Sequence, residues 1–136
     1  MLISRELVIE LLKGKPYIAC FETAADFLGI SNGGCYTKIH VFSLEPVSSD
    51  IIESIVVDSF DDIECLEKDG ILCTTEEQTI VDLLTYDRDD QAICESINFY
   101  YYTHGKSLDA IRDKLPEELV KRFEEYAEDA LEFFNC

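Results

Sequence analysis

The chain has 136 residues, 29 of them acidic and 11 basic, for a formal net charge of -18. Its hydrophobic content of 47% is ordinary for a globular chain and argues against disorder. The charge argues against a grip on nucleic-acid phosphates, which needs clustered Lys and Arg.

The length suits one domain, so residues 1–136 are expected to fold as a single unit. Leu2 to Leu12 has helical periodicity, with Ile3, Leu7, Val8, Leu11 and Leu12 sharing a face and Ser4 as the cap. Gly14 and Pro16 end that helix. Glu22 to Leu28 is a short second helix, closed at Gly29. Lys38 to Leu44 reads as a strand: Ile39, Val41 and Ser43 face one way, His40, Phe42 and Leu44 the other, and Pro46 stops it. Ser54 to Phe60 is a second β-rich run. Ile63 to Leu66 and Ile71 to Cys73 are short strands around a Lys68-Asp69-Gly70 turn, since Asp-Gly is a strong hairpin signal.

Helices follow. Glu76 to Leu84 puts Ile80, Leu83 and Leu84 on one face, and Asp89 to Tyr102 does the same with Ile93, Ile97, Tyr100 and Tyr101. Ser107 to Lys114 is a short helix. Pro116 to Phe134 is a long one, with Leu119, Phe123, Tyr126, Ala127, Ala130 and Phe134 on one face and Glu and Lys opposite. The order predicts an α/β domain of the α+β kind: a small, mostly antiparallel sheet flanked by N-terminal and C-terminal helices.

The charge is uneven. Residues 1–15 carry a net +1, residues 16–105 a net -15 and residues 106–136 a net -4, so the acidity belongs to the middle of the fold. Met1 to Leu12 contains Glu6 and Glu10 and no small-residue cleavage site follows, so no secretory leader is expected. No apolar run approaches the ~18 residues that span a bilayer. The expected location is cytoplasmic. Cys20, Cys35, Cys65, Cys73, Cys94 and Cys136 are then reduced thiols packed as small hydrophobes. No C-x-x-C occurs, and His40 and His104 sit in no ligand-like spacing, so no metal and no cofactor are expected.

Ile71 to Leu84 is the most informative stretch: a strand running directly into a capped helix. Thr75 serves as the cap, Gln78 closes a capping box, and Glu76 and Glu77 sit where the helix dipole favours negative charge. This stretch resembles a signature of the C-terminal domain of AbiEi-type antitoxins, from type IV toxin–antitoxin and phage abortive-infection systems. The residues that carry it are Thr74, Thr75, Glu77, Gln78, Thr79 and Asp82. Tyr17 to Ile30 resembles that family's preceding helix, and Lys38 to Ser43 its strand. In order and spacing the match covers about residues 15–87. Gln78 stands where the family commonly has Arg, which removes any ion pair from this position to Asp82. Family members usually carry an N-terminal winged helix, and about 15 residues precede the match here. The resemblance therefore implies a free-standing antitoxin domain without the promoter-binding part.

Thr23 to Ile39 also resembles a helix-turn-helix, with Ser31 to Ile39 in the major groove. That recognition helix would contain Gly33 and Gly34, each costing about 0.8–1 kcal/mol, and would offer only Lys38 to phosphate. Phe99 to Tyr102 could stack bases, but no basic residues are interleaved, so a core or interface role is expected. Asp82 is expected to make a local hydrogen bond rather than serve as a catalytic acid. No lysine has an acidic residue two positions before it, so the Asp/Glu-x-Lys of metal nucleases is absent. No nucleophile elbow, P-loop or dinucleotide fingerprint occurs. The expectation is that the protein is not an enzyme.

Asp58 to Asp69 carries six acids in twelve residues: Asp58, Asp61, Asp62, Glu64, Glu67 and Asp69. Glu76, Glu77, Asp87, Asp89 and Asp90 add acidic points beside the strand–helix junction. These eleven are the candidate partner-binding residues, with carboxylates standing where phosphates would be. The leading expectation is an acidic interaction protein that binds a basic partner, such as a nucleotidyltransferase toxin, in phage defence or toxin neutralisation. The alternative is a phage or mobile-element anti-defence protein, an anti-CRISPR-like DNA mimic that occludes a nuclease. Neither reading involves direct nucleic-acid or membrane binding, and both leave homo-oligomer formation open.

Overall fold

The computed structural model describes residues 3–32 and 37–133. Ser4 begins the first helix, α1 (Arg5–Leu12): its hydroxyl accepts the Leu7 N–H at 3.1 Å. The two-residue strand β1 (Ile18–Ala19) leads straight into α2 (Phe21–Leu28), which ends where Gly29 takes the left-handed conformation. Strands β2 (Ile39–Ser43), β3 (Ile52–Val56), β4 (Cys65–Lys68) and β5 (Ile71–Thr74) follow. Helices α3 (Glu76–Thr85), α4 (Asp90–Thr103), α5 (Asp109–Arg112) and α6 (Glu117–Phe133) complete the described chain.

The expected α+β class holds: a small sheet lies between N-terminal and C-terminal helices. The strand order is β3-β2-β1-β5-β4. Pairing is antiparallel in β1–β2 and β4–β5, and parallel in β1–β5 and β2–β3. The expected antiparallel weight came from the β4–β5 hairpin. Of the two parallel pairings, β1–β5 joins residues far apart in sequence, such as Ile18 with Leu72, while β2–β3 joins consecutive strands.

Two strands are shifted from their expected spans. The Asp69-Gly70 turn has φ of 53° and 84°, which pairs Lys68 with Ile71 and moves β4 from 63–66 to Cys65–Lys68. β3 starts at Ile52 because Ser49 Oγ accepts the N–H groups of Ile51 and Ile52. Phe60 and Ile63, expected in strands, instead pack half-buried on the main core. Leu2 and Phe134, expected at helix ends, lie outside the described residues.

Both faces of the sheet are covered, so all five residues of β2 are buried. On one face Ile18 and Phe42 meet Ile80, Leu83 and Leu84 of α3, Ile93 and Ile97 of α4 and Phe123 of α6. On the other, Ala19, Ile39, Val41, Ile71 and Cys73 meet Val8 and Leu12 of α1 and Phe27 of α2. Truncating such a large aliphatic to Ala costs about 2–5 kcal/mol. The long helix buries Phe123, Ala127 and Ala130, and turns Glu117, Glu118, Glu125 and Glu128 outward.

Candidate interaction surface

The eleven carboxylates separate into two groups by what they touch. Glu64 pairs with Lys114 and Asp87 with Arg122. Asp69 pairs with Arg5 at 2.5 Å. Glu77 accepts the Tyr100 hydroxyl at 2.7 Å, and Asp90 accepts that of Tyr126. Asp89 caps α4 by accepting the Ala92 N–H at 2.9 Å. Glu76 is half-buried, with Oε1 sealed from solvent and without a partner among the described residues. The expectation treated these acids as one docking face. Their positions instead make several of them staples: Glu77 between α3 and α4, Asp90 between α4 and α6, and Asp69 between the β4–β5 hairpin and α1.

Asp58, Asp61, Asp62 and Glu67 differ. They are exposed, and no ion pair engages them among the described residues. Three of the four stand in the segment between β3 and β4. The protein's four arginines, by contrast, all hold carboxylates of the same chain: Arg5 with Asp69, Arg88 with Glu22, Arg112 with Asp109 and Glu124, and Arg122 with Asp87.

The strand–helix junction is built as the sequence reads, with one difference. Thr75 Oγ1 accepts the Gln78 N–H at 3.2 Å, so Thr75 is the cap. Gln78 does not close a capping box, because the Thr75 N–H already donates to the Glu64 carbonyl at 3.1 Å. The Gln78 carboxamide instead accepts the Glu64 N–H at 3.2 Å and donates to Asp82 Oδ1 at 2.9 Å. Thr74 and Thr79 share a buried hydroxyl–hydroxyl bond of 2.7 Å. Asp82 makes the local hydrogen bond expected of it. Its Oδ2 is buried without a partner among the described residues, and burial pushes the carboxyl up to about 7, against the opposing Gln78 bond.

A partly buried polar chain was not foreseen. Arg88 Nε donates to both Glu22 oxygens, at 2.8 and 2.9 Å, and Arg88 Nη2 lies 3.2 Å from His40 Nε2. Glu53 stands 3.8 Å from His40 Nδ1. Burial first, and the Arg88 charge second, lower the His40 pKa, so the ring is neutral and accepts from Arg88. The Arg88 guanidinium also stacks 4.8 Å from the Phe21 ring centre. Phe21 opens α2 at φ 52°, a strained position for a bulky residue, held by Phe42 at 5.5 Å and Tyr86 at 4.9 Å. The signal for this cluster was weak: Arg88 is one of three basic residues in the segment 16–105.

The remaining candidates resolve simply. Residues 31 and 32 are not helical and Ile39 is in β2; Gly33 and Gly34 lie outside the described residues. A recognition helix over Ser31 to Ile39 is therefore ruled out at both of its ends. Tyr100 is core, 3% exposed and stacked on His104 at 3.8 Å, whereas Phe99 and Tyr102 remain exposed. Cys20, Cys65, Cys73 and Cys94 are free thiols. Burial pushes Cys73 up to about 12 and Cys94 up to about 11, which makes both unreactive. Cys35 and Cys136 lie outside the described residues.

A cleft of about 470 Å3 is lined by Glu22, Asp87, Arg88, Asp89 and Asp90. Each of its carboxylates is already bonded within the chain. Among the described residues no group of three or more His, Cys, Asp or Glu is placed to hold a metal, and no helix is long and apolar enough to cross a membrane. Comparison of the chain with protein-family models, curated proteins and solved structures finds no match. Fold and surface together define a small acidic α+β domain.

Proposed function

We propose that the protein is a non-enzymatic interaction module that binds a basic protein partner through free carboxylates. The observation that carries this reading is the contrast between acids and arginines. Every arginine is neutralised inside the chain, while Asp58, Asp61, Asp62 and Glu67 face solvent without a cation among the described residues. A surface of that kind attracts a positive partner, speeds encounter and repels nucleic acid.

The resemblance of Thr74 to Asp82 to an AbiEi-type antitoxin motif adds a biological setting: toxin neutralisation or phage defence, with a nucleotidyltransferase toxin as the partner. The test is a binding titration of the purified protein against such a toxin at low and high salt. Saturable binding that weakens steeply with salt supports the reading. No binding at low salt overturns it. A competition arm separates the DNA-mimic alternative: a nuclease that releases duplex DNA when it takes up this protein favours mimicry.

A further inference from the structure

Among the described residues the strand β3 lies at one end of the sheet, with β2 on one side only. Its register leaves specific backbone groups open. The Ile39 N–H donates to the Ile51 carbonyl and the Val57 N–H to the Ser43 carbonyl. In a parallel ladder the odd positions 51, 53, 55 and 57 therefore bond β2, while 52, 54 and 56 point away from it. The Ile52 N–H is taken by Ser49 Oγ at 3.0 Å. The N–H and C=O of Ser54 and of Val56 are left facing outward.

Natural sheets guard such an edge with Lys, Pro or a bulge. The span Ile52–Val56 contains neither residue, and its register with β2 is unbroken. The surroundings are charged with one sign. Residues 44–64 carry seven carboxylates and no Lys or Arg. Nearby Lys38 is occupied by the Asp50 carbonyl. Val56 is 51% exposed on this strand.

We infer that β3 is the docking edge for an extended, basic segment of the partner, which adds to the sheet as a sixth strand. Main-chain bonds to Ser54 and Val56 give the register, and Glu53, Asp50 and Asp58 select Lys or Arg side chains. A second copy of this chain is a poor occupant, because it brings its own charge of -18 to the same edge. The inference rests on the acidic-surface reading and narrows it to one strand.

The probe is an eight-residue peptide alternating lysine and valine, beside the same peptide N-methylated at alternate residues. The N-methylated form keeps the charge and cannot pair as a strand. The expected result is that the plain peptide slows exchange of the Ser54 and Val56 amide protons about tenfold or more, and that N-methylation weakens binding by a similar factor. Ser54→Pro should abolish peptide binding and keep the fold, since its N–H faces away from β2. If Ser54→Pro does not fold, the amide-exchange measurement on the unaltered protein decides.

Equal binding of both peptides without protection at Ser54 and Val56 overturns the inference and leaves the acidic-surface reading standing. Failure of both peptides to bind at low salt overturns both. Concentration-dependent protection of these amides without peptide assigns the edge to a second copy, and also overturns it.

Discussion

Gln78 Nε2 donates to Asp82 Oδ1 at 2.9 Å, one turn apart on α3, while Asp82 Oδ2 is buried without a partner among the described residues. The same carboxamide accepts the Glu64 N–H, so one side chain ties the start of α3 to the approach of β4. The cost falls on Asp82. A carboxylate there is half-bonded and largely out of water.

Asp82 sets a pH dependence of definite sign. Its folded pKa of about 7 is above the ordinary 3.8, so the neutral form favours the fold. Its contribution is full below the ordinary carboxylate pKa and is lost as pH rises through about 7. The ionised group then costs on the order of 4 kcal/mol. Asp82→Asn removes that cost. Urea unfolding should show Asp82→Asn close to the unaltered protein at pH 4 and clearly more stable at pH 8. Parallel stability curves for the two would refute the assignment.

Arg88 should be hard to replace. Glu22 has a side chain only 6% exposed, and its charge is compensated by Arg88. Arg88→Met leaves a buried, unpaired carboxylate and should cost about 3 kcal/mol, read by denaturant unfolding. The His40 ring reports the same change. Without the Arg88 charge its pKa should rise, measurable as a shift of its imidazole titration by NMR. An unchanged His40 titration would mean that the two groups do not communicate.

The hairpin turn tests backbone conformation alone. Gly70 has φ 84°, and an added Cβ would meet Lys13 Cε at 3.1 Å. Gly70→Ala should cost roughly 1–2 kcal/mol, most of it left-handed strain because the lysine can move away. Asp69→Asn keeps a favoured turn pair and loses only a half-exposed ion pair with Arg5. Its effect on thermal unfolding should be within about 0.5 kcal/mol.

The free carboxylates can be neutralised without touching the core. Replacing Asp58, Asp61 and Asp62 by Asn and Glu67 by Gln should leave the protein folded and at least as stable, since like charges are removed. Affinity for a basic partner should fall, and its salt dependence should flatten. Replacing Asp87, Asp89 and Asp90 by Ala should lower stability instead, because those residues hold Arg122, cap α4 and accept the Tyr126 hydroxyl. Equal loss of affinity in both variants would show that net charge, not placement, governs binding.

What the sequence announces is local. Ser4, Thr75, Gly29 and Asp69-Gly70 sit at caps and turns whose partners lie within a few residues, and each does what its chemistry predicts. The helix faces through Phe123 and Ile97 follow from periodicity for the same reason. The strand Ile18–Ala19 was missed because two residues carry no pattern; its neighbours lie more than 20 and more than 50 positions away. Glu22 and Arg88 are 66 residues apart, and nothing in either neighbourhood announces the other. Counting carboxylates could not separate Asp87, held by Arg122, from Asp58, held by nothing described.

The shortness of β1 has a consequence for how the protein comes apart. Ile18 and Ala19 are the seam between the β2–β3 pair and the β4–β5 hairpin. Without them each half is a two-stranded ribbon, which is marginal in water by itself. Neither ribbon can wait, folded, for the other. The sheet should therefore form and dissolve in one cooperative step. A single polar substitution at Ile18 should unravel both edges of the molecule at once.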